Sequence, residues 1–385
     1  MARLTVPRGA LLVTAALLLT YVFVIAPGTS GAPTGAPTGA PPERVVSVEQ
    51  APIATATPTP PPRPLFPPAG RTFVGIATRE GAYDFRAVDD FTAATRHAPQ
   101  VMLFSAGWAS APFDRVLFDR IRDRGMLPML AWEPWDHRLD EAALRNQLAT
   151  AKMNRERATQ PRYRLARIAG GDFDDYLRSW AEGIRALGYP VAIRFAHEMN
   201  GDWYPWCERV NGNKPGDYIR AWRHVHDLFQ SVGATNVTWV WSPNARWNNS
   251  APSLHAYYPG DDYVDWLGIS GYYGMGAFAT YRSFDQIFGA TIAQLRTFSR
   301  RPVVITETGA TDASGHKARW ITEAFRSLPR YPELIGLIWF EVDKEVDWRV
   351  AGSPASARAF ARAVADRRYA VTWSPESVPR TRIRD

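Results

Sequence analysis

The chain carries between residues 194 and 206 a set of side chains that suits sugar chemistry. Residues 191–198 predict a β-strand, and because strand side chains alternate between two faces, Arg194 and Glu198 share one face. An Asn-Gly turn ends the strand, and three aromatic residues follow at once: Trp203, Tyr204 and Trp206. A carboxylate moves protons and flat rings stack on pyranose faces. The alternative interpretation is a buried strand with an Arg–Glu pair beside a packed aromatic loop.

A second carboxylate is needed, because glycoside hydrolysis uses two carboxyl groups that flank the scissile bond. Glu307 ends the apolar run Val303–Glu307 just before a turn glycine, and it pairs naturally with Glu198. The alternative for Glu307 is a helix-capping or surface role. Glu133 and Glu341 are rival carboxylates, since each also follows a strand that contains a tryptophan. Composition does not separate these four glutamates.

From residue 71 onward, short β-branched runs alternate with amphipathic segments. This alternation predicts a parallel sheet, and eight such units predict a closed (β/α)₈ TIM barrel. A doubly wound open sheet is the competing fold, but no glycine-rich phosphate loop follows the first strand. The predicted strands are Phe73–Ala77, Val101–Ser105, Leu127–Trp132, Val191–Glu198, Val237–Ser242, Val264–Gly271, Val303–Glu307 and Leu334–Phe340. Predicted helices include Asp172–Leu187, Asp217–Val232, Phe284–Ser299 and His316–Leu328.

Active sites of such barrels lie at the carboxyl ends of the strands. Glutamates and tryptophans occupy the predicted ends of half of the strands, which favours a shared site over incidental packing. The long connection from Glu133 to about Gly171 carries several arginines, and we expect it to form a cleft wall.

The termini differ in composition from the barrel region. Residues 1–30 combine a positive start with an apolar run and predict a signal peptide or membrane anchor. Residues 31–70 are rich in Pro, Thr and Ala and predict a disordered linker. We expect a barrel domain over residues 71–370 and a tail over 371–385. The protein would then be secreted, or anchored on the outer face of a bacterial membrane or cell wall.

Charge and cysteine content restrict the partners. The 45 Lys and Arg against 38 Asp and Glu give a net charge of +7, but the positive residues are scattered and no nucleic-acid motif is present. Cys207 is the only cysteine, so an internal disulfide is excluded and a packing role is expected. No His and Cys cluster has metal-ligand spacing. We therefore expect no metal, no cofactor and no nucleic acid. We also predict a monomer, and the side chains between residues 194 and 206 predict that it binds a polysaccharide.

Four segments resemble glycoside hydrolase family 26, whose clan places catalytic glutamates on strands four and seven. HEMNGDWYPW, residues 197–206, resembles its acid/base motif, and VVITETG, residues 303–309, resembles its nucleophile strand. VDWLGISGYYG, residues 264–274, is similar to its strand six, and WFEVDKEVDWR, residues 339–349, to its strand-eight segment. The motifs occur in the family's order across most of residues 71–368.

The resemblance implies roles for individual residues. Glu198 matches the acid/base and Glu307 the nucleophile. His197 matches a histidine that shapes the site at the cleaved sugar, although a hydrogen-bonded core histidine is the alternative. Arg194 matches an arginine at the same spacing before the acid/base, and its shared strand face predicts a supporting role.

Further matches concern substrate contacts. Tyr273 matches a tyrosine that hydrogen-bonds the nucleophile, and Trp203 and Trp339 match aromatic sugar platforms. Ser270 departs from the pattern, because many relatives carry an acidic residue there, and this difference bears on contacts with the sugar.

The family contains endo-β-mannanases, β-1,3-xylanases and mixed-linkage β-glucanases. The resemblance therefore implies an exported retaining endo-β-glycanase that acts by double displacement, with β-1,4-mannan as the first substrate. Mixed-linkage β-glucan and β-1,3-xylan are the alternatives. A non-catalytic carbohydrate-binding barrel and an adhesive surface protein are also alternatives, but only an enzyme requires both glutamates.

Overall fold

Eight parallel strands close into a barrel in chain order, as the sequence predicts. The computed structural model describes residues 63–109, 112–138, 155–246, 252–274, 280–312, 314–344 and 346–383. The strands are β1 (Phe73–Thr78), β2 (Val101–Gly107), β3 (Leu127–Glu133), β4 (Val191–Phe195), β5 (Val237–Trp241), β6 (Trp266–Tyr273), β7 (Val303–Ala310) and β8 (Leu334–Glu341). β8 pairs with β1 and completes the ring.

α-Helices follow most of the strands, and two short 3-10 helices, Leu254–Tyr257 and Asp261–Tyr263, lie between β5 and β6. The α-helices are α1 (Arg86–Thr95), α2 (Arg115–Arg122), α3 (Leu165–Ala169), α4 (Asp174–Leu187), α5 (Asp217–Val232), α6 (Ala290–Leu295), α7 (Lys317–Ser327) and α8 (Pro354–Val364). A π-helical turn over Asp285–Gly289 precedes α6 inside one predicted helix. The (β/α)₈ TIM barrel is confirmed.

Two apolar cores follow from the alternation of strand side chains. On β3, Met129 and Ala131 belong to the core inside the barrel, whereas Leu130 and Trp132 belong to the larger core between strands and helices. Inward and outward residues alternate in the same way along most strands. This alternation decides which side chains can reach the barrel mouth.

β7 departs from that alternation through a bulge. Ile269 of β6 pairs with Ile305, but the next residue, Ser270, pairs with Glu307, so Thr306 is an extra residue in β7. An extra residue shifts the following side chains to the other face. Val304 faces the barrel interior, and the bulge allows both Thr306 and Glu307 to face inward as well.

The folded unit extends beyond the predicted bounds of 71 and 370. Leu65–Phe66 pairs in parallel with Val378–Pro379 and forms a two-stranded sheet. Phe66 is fully buried and stacks on Phe73 at a ring-centroid distance of 5.4 Å. The indole Nε1 of Trp266 donates to the backbone oxygen of Arg380 at 2.7 Å. The predicted tail thus covers the end of the barrel at which the strands begin.

The predicted export segment over residues 1–30 and most of the predicted linker lie outside the described residues. Within the described part of the chain, every helix is too short or too polar to cross a membrane.

The buried position of Phe66 generates a stability prediction. Phe66→Ala should lower the free energy of unfolding by about 3–5 kcal/mol, because it removes a buried ring from the barrel floor. Leu65→Ala is the matched control in the same strand, since Leu65 is exposed, and it should change stability by less than about 0.5 kcal/mol. Denaturant unfolding measures both. Equal losses would show that Phe66 does not contribute to the core.

Candidate active site

The end of β4 presents Glu198 through an unusual backbone. The sequence predicts a strand through Glu198, but the strand ends at Phe195, and Ala196 and Glu198 adopt positive φ values of 44° and 56°. Such values are strained for residues with a Cβ and persist where the surrounding structure enforces them. The Glu198 amide donates to the backbone oxygen of Ser242 at 2.7 Å, which fixes this turn against β5.

Arg194 lies at the centre of the site and is almost completely buried. Its Nη1 donates to Glu307 Oε2 at 2.8 Å, its Nε to Ser242 Oγ at 3.0 Å, and its Nη2 to Ser270 Oγ at 2.5 Å. The supporting role expected for Arg194 therefore has a specific form. One guanidinium from β4 binds side chains from β6 and β7 and from the end of β5.

Glu307 reaches this guanidinium because of the β7 bulge. Its Oε2 pairs with Arg194, and its Oε1 accepts a hydrogen bond from the hydroxyl of Tyr272. The bond from the guanidinium is charge-assisted, which makes it one of the stronger kinds of hydrogen bond. Burial leaves only 5% of Glu307 exposed, so the charge is held in a place from which bulk water is largely excluded.

Glu198 occupies a different electrostatic environment. Its Oε2 accepts a hydrogen bond from Trp203 Nε1 at 3.1 Å, and Ser270 and Asn244 also interact with its carboxyl group. Burial is the larger cause and repulsion from Glu307 the next, and together they raise the pKa of Glu198 to about 7. The structure thus brings together a carboxyl group that retains its proton near neutral pH and a carboxylate paired with an arginine.

The tyrosine beside Glu307 is Tyr272, and the prediction of Tyr273 is wrong. Tyr272 shares the inward face of β6 with Ser270, whereas Tyr273 faces outward. The hydroxyl of Tyr273 bonds with Ser314 Oγ at 2.8 Å, and its ring stacks on Trp320 of α7. Because strand side chains alternate between two faces, a residue two positions after Ser270 shares its face, and this rule applied to the sequence could have identified Tyr272.

Trp339 is not a sugar platform, so that prediction is also wrong. It faces outward from β8, is fully buried, and packs against Trp320 and against Phe360 of α8. Trp348, in the loop after β8, is also fully buried, but it packs against a site residue, since its ring lies 4.9 Å from that of Tyr272. Strand alternation does not extend into this loop, so the sequence gives no signal for Trp348.

His197 directly precedes Glu198 in the chain, and Trp203, five residues further on, contacts its carboxyl group. Trp203 is 9% exposed and holds Glu198 through its indole nitrogen, so this ring borders the site. The His197 ring packs edge-on against Tyr204, and burial lowers the pKa of His197 well below its ordinary value, so the ring is neutral. Tyr204 and Trp206 are buried and stacked on each other. The packed-loop interpretation holds for these last two aromatic residues.

The rival glutamates have different surroundings. Glu133 also faces the barrel interior, accepts a hydrogen bond from Trp135 Nε1 at 2.9 Å, and has its pKa raised to about 8 by burial. Glu341 faces away from Glu198 and Glu307 and accepts the amides of Val350 and Ala351. Burial raises the pKa of Glu341 to about 7. Neither rival forms the contact with Arg194 that Glu307 makes.

The predicted cleft wall between Glu133 and Gly171 is described in part, because residues 139–154 lie outside the described residues. Two of its arginines contact the aromatic loop after β4. Arg157 is buried and lies over the Tyr204 ring at 5.9 Å, and Arg164 Nε donates to the backbone oxygen of Asn211. Within the described residues, these side chains support the loop that carries Trp203.

Solved structures share this architecture. The chain aligns with a GH26 β-mannanase from Bacteroides ovatus over 78% of its own length and 90% of that chain, with 18% identity and a TM-score of 0.55. It aligns similarly with the catalytic domain of the GH26 endo-β-1,4-mannanase from Bacillus sp. JAMB-750, over 78% and 87% of the two chains, with 16% identity and a TM-score of 0.56. These alignments support the fold.

Sequence comparisons cover the site itself. The chain is 35% identical to Endoglucanase H of Acetivibrio thermocellus over 255 residues, which are 64% of this chain and 25% of that protein. It is 28% identical to a mannan endo-1,4-β-mannosidase of Bacillus subtilis over 38% of this chain and 39% of that protein. The chain thus spans well under half the length of these relatives. Residues 169–320, which include Glu198 and Glu307, match the model of glycosyl hydrolase family 26, and the chain belongs to this family.

Proposed function

We propose that the protein is a retaining endo-β-glycanase in which Glu307 is the nucleophile and Glu198 is the acid/base. The observation that carries this proposal is the contrast between two neighbouring carboxyl groups. Glu307 is paired with Arg194, whereas burial raises the pKa of Glu198 to about 7. Carboxyl groups whose environments separate their pKa values are suited to opposite roles in one reaction.

Retention is proposed from the family resemblance, which implies a double displacement. Glu307 binds Nη1 of Arg194, and Ser270, which bonds Nη2 of the same guanidinium, also interacts with Glu198. Both carboxyl groups are therefore linked to one guanidinium. Retaining enzymes hold their carboxyl groups about 5–5.5 Å apart, whereas inverting enzymes leave room for a water between them at about 6.5–9.5 Å.

In the first step, Glu307 attacks the anomeric carbon while Glu198 donates its proton to the departing glycosidic oxygen. Arg194 and Tyr272 orient the attacking carboxylate. The step produces a glycosyl ester on Glu307 and a shortened chain with a free hydroxyl group. Because esterification removes the charge of Glu307, the repulsion that raises the pKa of Glu198 disappears.

In the second step, Glu198 is ionised and accepts a proton from a water molecule that attacks the same anomeric carbon. The ester bond to Glu307 breaks, and the sugar leaves with its original configuration. Glu198 is protonated again and Glu307 is again a carboxylate, so the site returns to its starting state.

For the backbone sugar, we propose β-glucan first and β-1,4-mannan second. The family resemblance alone implies mannan first, but the chain is 35% identical to a protein named endoglucanase and 28% identical to one named mannan endo-1,4-β-mannosidase. Mannan is the second candidate because the relative from Bacillus subtilis is named a mannan endo-1,4-β-mannosidase.

The substrate and the stereochemistry can be tested together. Barley β-glucan, glucomannan, galactomannan and β-1,3-xylan should be incubated with the protein and the products sized. We expect internal cleavage of β-glucan, and proton NMR should show the β-anomer of the new reducing end first. Initial appearance of the α-anomer would rule out double displacement, and no cleavage of any glycan would favour a binding protein.

Variants of the glutamates test the assigned roles. Glu307→Ala should abolish turnover because it removes the nucleophile. Glu198→Ala should reduce polysaccharide cleavage far more than cleavage of aryl glycosides whose leaving groups need little protonation. Circular dichroism should confirm that both variants fold. The assignment would be wrong if Glu198→Ala were harmless while a substitution of Glu133 abolished turnover.

The raised pKa of Glu198 predicts the pH dependence. The carboxyl group keeps its proton up to about pH 7, so kcat/KM for β-glucan should fall as the pH rises through about 7 and the acid is lost. A dinitrophenyl glycoside needs no acid in the first step, and its kcat/KM should not fall in this range. A fall at the same pH for both substrates would assign the ionisation to another group.

Adjacent tyrosines offer a matched pair. Tyr272→Phe removes the hydrogen bond to Glu307, which should lower kcat/KM roughly 10- to 100-fold, since a bond to a charged group contributes about 1.5–3 kcal/mol. Tyr273→Phe removes only the bond to Ser314 and should stay within about threefold of the unaltered protein. The reverse ranking would restore Tyr273 as the partner of the nucleophile.

A further inference from the structure

Two buried charged side chains outside the catalytic pair hold the loop that carries Trp348. Lys317, the first residue of α7, is only 2% exposed. Its Nζ donates to the backbone oxygen of Asp347 at 3.0 Å and to that of Arg349 at 2.5 Å. These two carbonyl groups belong to the residues on either side of Trp348.

Glu341 holds the next part of the same loop. It is also 2% exposed, and its two oxygens accept the amides of Val350 at 2.7 Å and Ala351 at 2.8 Å. The ammonium of Lys317 attracts this carboxyl group. The backbone of residues 347–351 is therefore held by hydrogen bonds from buried Lys317 of α7 and to buried Glu341 at the end of β8.

Burial of a charge costs several kcal/mol, so the burial of Lys317 and Glu341 under this loop carries a desolvation penalty. Backbone groups alone anchor many loops without buried charges. Here the amide of Trp348 already donates to the backbone oxygen of Val342, and its carbonyl accepts from Trp339 Nε1. The two charged side chains add rigidity around a residue whose own backbone is already satisfied.

The ring of Trp348 connects the loop held by Lys317 and Glu341 to the proposed nucleophile, Glu307. It lies 4.9 Å from the ring of Tyr272, whose hydroxyl donates to Glu307 Oε1. On its other side is Gly309 of β7, where an added Cβ would meet the Trp348 ring at 3.1 Å. A displaced Trp348 would thus release the phenol that orients the attacking carboxylate.

We propose that Lys317 and Glu341 are positioning residues, which fix Trp348 so that Tyr272 holds Glu307 in its attacking orientation. The proposal deepens the function proposed above and rests on it. Neither Lys317 nor Glu341 needs to touch the sugar, because each acts through the loop.

A double-mutant cycle tests this path. Lys317→Met keeps much of the side-chain volume and removes both hydrogen bonds, and it should lower kcat/KM on an aryl glycoside roughly 10- to 100-fold, as expected for a small misplacement of a reacting group. Combined with Tyr272→Phe, it should cause little further loss, because the hydroxyl through which it acts is already absent. Losses that multiply would overturn the proposal.

The matched control is Arg319→Met on the same helix. Arg319 pairs at the surface with Glu323 and does not hold the loop, so this variant should keep full activity. If Lys317→Met does not fold, Glu341→Gln takes its place in the cycle. The glutamine can accept through one oxygen only, and a smaller loss with the same non-additivity is expected. Full activity of Glu341→Gln would overturn the proposal.

A spectroscopic measurement separates this proposal from the proposed function. In protein labelled with 5-fluorotryptophan, the Trp348 resonance is assigned from Trp348→Phe, and it should shift or broaden in Lys317→Met but not in Arg319→Met. A shift in a protein that cleaves no glycan would uphold the positioning and refute the enzyme. Lost activity without any shift would uphold the enzyme and refute the positioning.

Discussion

The site depends on one buried positive charge, the guanidinium of Arg194. Three carboxyl groups lie around it inside the barrel mouth: those of Glu133, Glu198 and Glu307. A single buried cation can balance a single buried anion, and further ionised groups would remain uncompensated. Glu307 binds the guanidinium directly, so its charge is the one that the cation compensates. Burial raises the pKa values of Glu133 and Glu198. In the proposed reaction, this difference separates the acid from the nucleophile.

The serines around Arg194 complete this arrangement. Ser242 and Ser270 accept hydrogen bonds from the guanidinium without adding charge. An acidic residue in place of Ser270 would compete with Glu307 for the cation and would repel Glu198. The neutral side chain therefore leaves the whole positive charge of Arg194 to Glu307.

The sequence predicts the strands well because their periodicity is local. All eight predicted strands agree with the observed ones to within three residues at either end. Strand alternation also predicts that Arg194 and Glu198 lie close together, and both are in the buried site with Glu307. Features that depend on long-range packing were not predictable. Nothing local marks the left-handed backbone at Ala196 and Glu198, since both are enforced by neighbouring strands. Phe66 was assigned to a linker because composition averages over a window and hides one buried ring.

The bulge in β7 has a consequence for how this strand can change over time. Thr306 is the added residue, and because of it two consecutive side chains of β7 face the barrel interior. Loss of the Thr306 codon would restore regular pairing with β6 and leave the carboxylate on the inward face. It would also remove the hydroxyl that bonds Ser242, the serine that accepts from Arg194. A deletion of one codon would thus change the support of the arginine and leave the acid in place, and substitution tables, which compare residues one for one, do not register such a change.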